Sequence, residues 1–185
     1  HNGLSPLPVM RDYMHKLEDA GAECIVIPCN TAHYWFKELK DACHIDILSI
    51  IDTTVDEVRV CGKTRIGLLA TDATLYMGLY QKGIESLGFN YITPDADGQK
   101  NVMKSIYSLK AGNVTHAQKL MEEQAENLFS RGAEILILGC TEIPIILSQA
   151  VKDQPLRYID STASLVRAGI KWYENRIGKD QHLTQ

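Results

Sequence analysis

The stretch GAECIVIPCNT (Gly21–Thr31) has a near copy later in the chain, GAEILILGCTE (Gly132–Glu142). Each opens with Gly-Ala-Glu, runs on through β-branched and aliphatic residues, and reaches a cysteine eight residues after its glycine, Cys29 in one and Cys140 in the other. Short apolar runs of this kind, with no polar alternation, predict strands buried on both faces, the mark of a parallel sheet. Before the first run, LPVMRDYMHKLEDA (7–20) carries apolar residues at helical spacing and stops at Gly21. Before the second, a helix from about Thr115 to Arg131 stops at Gly132.

Reading outward from the two copies, each cysteine is followed by a helix, a strand and a matching tetrapeptide. After Cys29 come a helix from Thr31 to about Ala42, the strand IDILSII (45–51) and Ile-Asp-Thr-Thr at 51–54. After Cys140 come the strand PLRYID (155–160), Ile-Asp-Ser-Thr at 159–162 and a closing helix over 162–177. Between the copies lie a helix (53–61), the strand TRIGLLAT (64–71), a TDAT loop opening a helix over 75–88, the strand NYITP (90–94), and a helix over 99–109 that turns at Ala111-Gly112-Asn113. Strands alternating with helices predict an α/β fold with parallel sheets. The repeat predicts two pseudo-symmetric α/β domains with the site between them. Residues 1–51 plus 159–185 would form the first, and residues 52–158 the second. The second copy has TRIGLLATDAT upstream of its cysteine, whereas only 28 residues precede Cys29, so the first domain is expected to lack its opening strand and loop.

Composition narrows the function. With 45% hydrophobic and 23% charged residues, the 185-residue chain reads as an ordinary globular protein. A net charge of −4 with no basic run argues against nucleic acid as a partner. No apolar stretch approaches the ~18 residues of a membrane span, and no secretory signal is visible. The five cysteines, Cys24, Cys29, Cys43, Cys61 and Cys140, form no C-x-x-C pair. They are read as free thiols in a reducing, cytoplasmic setting, with no metal site. Cys24, Cys43 and Cys61 are read as small buried hydrophobes.

Cys29 and Cys140 differ from the rest because each ends a strand and precedes a helix. Open parallel sheets bind ligands at their carboxyl ends. The free N–H groups of a helix N-terminus attract carboxylates and lower a thiol's pKa. Two like thiols on opposite sides of one cleft suit proton removal on one face of a carbon and proton return on the other. That is the chemistry of a racemase.

The motifs IPCNTAH (27–33) and GCTE (139–142), in this order, resemble the two cysteine motifs of the cofactor-independent aspartate/glutamate racemase family, especially its aspartate branch. LLATDAT (68–74) resembles the family's Gly-Thr-x-x-Thr loop, with Ala70 in place of glycine, and IYSLKAGN (106–113) resembles the segment carrying a substrate-binding lysine. The resemblance runs from about Pro8 to Asp160. It implies that Cys29 and Cys140 are the acid/base pair. Asn30, Thr31 and Ala32 would bind substrate beside the first thiol, Thr141 beside the second, and Thr71 and Thr74 from the second domain. Lys110 would pair with the substrate's side-chain carboxylate, and Lys100 is a weaker candidate for that role. The implied reaction is racemisation of a small acidic amino acid, aspartate first, without pyridoxal phosphate or metal, in a homodimer. Cys-Thr-Glu at 140–142, where glutamate racemases typically have Cys-Thr-His, tilts the substrate towards aspartate, although broad-specificity relatives share it. The family's opening strand, Gly-rich loop and substrate-gripping arginine have no counterpart in these residues.

Other readings stand beside this one. A same-fold isomerase is one, whether a glutamate or broad-specificity racemase, a hydantoin racemase or a maleate isomerase. A non-catalytic small-acid-binding relative is another. His33 is read as structural rather than as a ligand. Asp52 and Asp160 are read as symmetric caps, and Glu142 as a residue that tunes the second thiol or discriminates substrates. The aromatic run 34–36 is read as core or subunit interface.

Overall fold

A computed structural model describes residues 5–182, with side chains to residue 178. The elements in order are α1 (Leu7–Asp19), β1 (Cys24–Val26), a 3₁₀ helix (Thr31–Trp35), α2 (Phe36–Ala42), β2 (Asp46–Leu48), α3 (Ile50–Val60), β3 (Arg65–Ala70), α4 (Asp72–Tyr76), α5 (Gln81–Ser86), β4 (Asn90–Ile92), α6 (Ala96–Lys110), α7 (Val114–Ser130), β5 (Ile135–Gly139), α8 (Glu142–Ile146), α9 (Ser148–Asp153), β6 (Tyr158–Asp160) and α10 (Ser161–His182). All strand pairs are parallel. β1 and β2 form a two-stranded sheet, and the other four form a second sheet in the order β4-β3-β5-β6. The fold is α/β with two parallel sheets, as the strand–helix alternation predicts.

The repeat holds in atomic detail. The glycines 111 residues apart, Gly21 and Gly132, both adopt positive φ, 87° and 95°. Each reverses the chain with the same pair of bonds. Gly21 N–H donates to Glu18 O and Ala22 N–H to Leu17 O, while Gly132 N–H donates to Phe129 O and Ala133 N–H to Leu128 O. Paired bonds of this kind satisfy the last carbonyls of a helix and need a residue at ease in the left-handed region. The register repeats as well: Ile25 pairs with Ile47, and Leu136 with Tyr158, at the same offset. This corrects one landmark. Ser49 caps α3 by accepting from Asp52 N–H, and Asp160 caps α10 by accepting from Thr162 N–H. Ser49 is therefore the counterpart of Asp160, and Asp52 lies inside the first turn of α3.

The larger sheet is covered on both faces. Leu136 and Leu138 of β5 pack with Val102, Ile106, Met121, Leu128, Ile143 and Ile146 under α6–α8. Ile135 and Ile137 point the other way, towards Val55, Val58, Tyr80, Ile84 and Leu165, as the two-residue strand period requires. The smaller sheet has its own core of Met14, Ile25, Leu39 and Ile47. The expected boundary at 159 falls inside β6, which pairs with β5 in the larger sheet. α10 then ties the two units together. Arg167 forks onto Glu57 (2.8 and 2.7 Å) and Trp172 Nε1 donates to Asp46 (2.6 Å), while Arg176 pairs with Glu23.

Two differences from the sequence reading matter later. The expected single helix over 75–88 is split into α4 and α5, because Gly78 adopts φ 65° between them. The break turns Tyr80 fully inward. Equivalent strand positions are also unequally covered: Ile137 is 0% exposed and its counterpart Val26 is 46% exposed. Ile137→Ala is therefore expected to cost about 2–4 kcal/mol of stability, and Val26→Ala about 1 kcal/mol or less. Urea denaturation of both variants checks this, and equal losses would refute the inequality.

Candidate active site

Four strands deliver the candidate residues at their carboxyl ends. β1 leads through Ile27 and Pro28 to Cys29, Asn30 and Thr31, β3 leads directly to Thr71, β5 directly to Cys140, and β6 to Ser161. This is where an open parallel sheet presents ligand-binding groups.

Cys29 is exposed. Its backbone is held from both sides, since its N–H donates to Ile27 O (2.8 Å) and its carbonyl accepts from His33 Nδ1 (2.8 Å). His33 Nε2 accepts from the N–H of Ile50 at the start of α3 (3.0 Å). That bond leaves the proton on Nδ1 and fixes a neutral tautomer. Burial lowers the His33 pKa, against the opposing pull of the Cys29 carbonyl. His33 is thus a structural brace, in agreement with its sequence reading.

Asn30 is 4% exposed and links the two halves. Its amide Nδ2 donates to Ser161 Oγ (3.2 Å), which donates in turn to Leu138 O in β5 (2.8 Å). Its Oδ1 accepts from the Tyr80 hydroxyl. The Tyr80 ring lies against Gly139, where an added Cβ would stand 3.1 Å from Cε2. The segment after Cys29 and the strand before Cys140 therefore meet through one buried polar network. Burial pushes the Tyr80 pKa up, so the phenol stays protonated and donates. Asn30→Ala leaves the enclosed Tyr80 hydroxyl without its acceptor. It is expected to cost about 2–3 kcal/mol of stability, readable as a lowered urea midpoint, and an unchanged midpoint would contradict the linkage.

Three of the four candidate threonines, Thr31, Thr71 and Thr74, come together. Thr31 Oγ1 lies 3.1 Å from Thr71 Oγ1 and 3.0 Å from Thr74 Oγ1, and the last two are 3.0 Å apart. Thr71 caps α4 by accepting from Thr74 N–H (3.2 Å). Thr74 is fully buried, so Thr31 and Thr71, both half-buried, carry the accessible hydroxyls of this triangle. Ala32 is half-buried on the 3₁₀ helix.

Cys140 is 9% exposed, and its thiol donates to Glu142 Oε2 (2.9 Å). Thr141 Oγ1 donates to the same oxygen (3.2 Å), and Glu142 Oε1 pairs with Lys110 Nζ (3.0 Å). Lys110, the last residue of α6, thus reaches the second thiol's neighbour, while Lys100 pairs with Asp97 on the helix surface. Burial first, then the Glu142 carboxylate, push the Cys140 thiol up to about 12. The expectation that a helix N-terminus would lower this pKa fails, because α8 has only five residues and desolvation outweighs its amides. Burial opposes ionisation of Glu142, yet hydrogen bonds from Cys140 and Lys110 hold its pKa down at about 2. The same contact raises the pKa of Lys110.

Two residues of this network, Tyr80 and Ser161, carry no functional signal in the sequence. Tyr80 reads as one more apolar residue of a helix, and Ser161 as part of a cap. Among the described residues, no group of three or more His, Cys, Asp or Glu side chains is arranged to hold a metal ion, and no helix is long and apolar enough to cross a membrane. A cavity of about 650 Å³ lies at the amino ends of β1 and β2, lined by residues that include Glu23, His44, Asp46 and Trp172, away from both motif cysteines.

A family model described as Asp/Glu/Hydantoin racemase matches residues 2–169. The chain belongs to this family. A structure of Picrophilus torridus aspartate racemase superposes with a TM-score of 0.83 at 33% identity, covering 92% of this chain and 71% of that one. The broad specificity amino-acid racemase RacX of Bacillus subtilis is 31% identical over 159 residues, 85% of this chain and 68% of its own length. An uncharacterized protein of Pectobacterium carotovorum is 40% identical over 139 residues, 75% of this chain and 93% of its own length. The chain spans about half the length of the curated glutamate racemases that it also matches. Racemases of this family are isomerases, in keeping with the two-cysteine pattern from which the resemblance was read.

Proposed function

We propose that this chain racemises a small acidic amino acid, aspartate first, by proton transfer between two thiols and the substrate's Cα, without pyridoxal phosphate or metal. The observation that carries the reading is the buried bridge Tyr80–Asn30–Ser161–Leu138, which ties the segment of Cys29 to the strand of Cys140. In this reading Cys29, as thiolate, takes the Cα proton, and the carbanion spreads its charge into the neighbouring carboxylate. Cys140, as thiol, gives its proton to the opposite face. The product has inverted Cα, Cys29 now carries the proton, and Cys140 is the thiolate ready for the reverse reaction. Burial and the Glu142 carboxylate raise the Cys140 pKa, so the thiol holds its proton at neutral pH, the state from which the acid half of this cycle starts. Hydroxyls of Thr31 and Thr71, with that of Thr141, supply donors for the developing charge. Asn30, Ala32 and Thr74 shape the wall behind them.

Lys110 is assigned to the distal carboxylate of the substrate, which favours aspartate over neutral amino acids. The likeness to an aspartate racemase at 33% identity supports aspartate, and that to a broad-specificity racemase at 31% supports a wider range of substrates as the second reading. A homodimer in the cytoplasm completes the proposal.

Incubation with single enantiomers of aspartate in deuterium oxide tests it. Deuterium should enter Cα of both enantiomers as optical rotation decays to zero. Turnover of maleate in its place would indicate the isomerase alternative, and no exchange with any small acid would indicate a binding protein.

A further inference from the structure

The Glu142 carboxylate touches both the second thiol and the cation assigned to the substrate. Oε2 accepts from Cys140 Sγ at 2.9 Å and from Thr141 Oγ1 at 3.2 Å, while Oε1 meets Lys110 Nζ at 3.0 Å. Its side chain is 21% exposed and that of Lys110 is 56% exposed, so the carboxylate is held from α6 at the edge of solvent while it faces inward onto the thiol. Among the described residues, no carboxylate is hydrogen-bonded to the Cys29 thiol. The residue two places after Cys29 is Thr31, whose hydroxyl is bonded within the threonine triangle. The two thiols, symmetric in sequence, thus meet unlike surroundings.

We propose that Glu142 is a positioning residue that keeps the proton on Cys140, so that the free enzyme rests with Cys140 as its acid and takes first the enantiomer whose Cα–H faces Cys29. This deepens the two-thiol reading and rests on it. A carboxylate accepting the S–H bond opposes loss of that proton, because the thiolate would face a second negative charge across the same contact. Lys110 favours the thiolate, but it stands behind the carboxylate. Tyr80, the other titratable group near Cys140, remains a neutral phenol. Lys110 is also occupied before substrate arrives. The distal carboxylate of the substrate must displace Glu142 from the ammonium or share it, so Glu142 competes with substrate for its own cation.

The test reads the thiol directly. Wild type, Glu142→Gln and Glu142→Asp are alkylated with iodoacetamide across pH, and modification of Cys140 is followed by peptide mass spectrometry. Glu142→Gln keeps shape and removes charge. It should lower the midpoint for Cys140 by more than about one pH unit and speed its alkylation at pH 8 by about tenfold or more. Glu142→Asp, with a shorter carboxylate, should fall between. A midpoint unchanged in Glu142→Gln, with the circular dichroism of the fold intact, overturns the proposal. Kinetics give a second readout that a merely structural role would not move. Enantiomers have an equilibrium constant of one, so kcat/KM must stay equal in the two directions, and the asymmetry appears as matching ratios of the two kcat values and of the two KM values. Glu142→Gln should change the two kcat values by different factors and lower KM for aspartate. Equal factors would overturn the assigned resting form. Failure of the wild type to exchange deuterium would remove the racemase reading, while the alkylation midpoint would still decide the role of Glu142.

Discussion

Cys29→Ser and Cys140→Ser are each expected to lower racemisation of aspartate by about 10³-fold or more while the chain stays folded. A serine hydroxyl is far too weak an acid to exist as the alkoxide a base would need, and it parts with its proton reluctantly as an acid. The losses should nevertheless differ in kind. With Cys140 replaced, Cys29 still reaches one face of Cα, so one enantiomer should exchange its proton for deuterium without inverting. With Cys29 replaced, exchange should persist only in the other enantiomer. Folding is protected for different reasons at the two positions. Cys29 is exposed, and in Cys140→Ser the new hydroxyl would still donate to Glu142 from the place the thiol uses. Full racemase activity in either variant would discard the two-thiol mechanism.

Lys110→Met is expected to reduce kcat/KM for aspartate by about 100-fold, the size of a lost charge-assisted hydrogen bond of nearly 3 kcal/mol. For alanine, which has no distal carboxylate, the loss should stay within about threefold. Methionine keeps the length of the side chain and removes only its ammonium. The substitution also strips Glu142 of its partner at 3.0 Å, a disturbance of Cys140 that both substrates would feel alike. The ratio between the two substrates therefore isolates the contact with the distal carboxylate. Equal losses for aspartate and alanine would take that role away from Lys110.

The fold was legible because its signals are local. An apolar run such as ILILG, too short for a helix and lying between a helix-ending glycine and a cysteine, reads as a strand covered on both faces, which in a chain of alternating strands and helices means a parallel sheet. The duplication was legible for the same reason, as Gly21 and Gly132 each need a left-handed turn that the sequence marks with glycine. The tetrapeptides at 51–54 and 159–162 misled at one point. They match as letters, but the strand pairing equates Ser49 with Asp160 as the helix caps. The split between α4 and α5 was missed because Gly78, inside an otherwise helical pattern, can be tolerated or can break the helix, and packing of Tyr80 decides which.

The amino-acid sequence by itself determined the α/β class, the twofold repeat, the placing of Cys29 and Cys140 at strand ends, and the family. These follow from short-range periodicity and from motif order, which the chain carries without folding. Tertiary structure alone decided that Tyr80 and Ser161 join the two cysteine segments, that Lys110 rather than Lys100 reaches the second thiol's neighbour, and that Cys140 is buried with a raised pKa while its twin is exposed. Burial and the approach of charges from distant elements set those properties, and neither is written in the residues next to a cysteine.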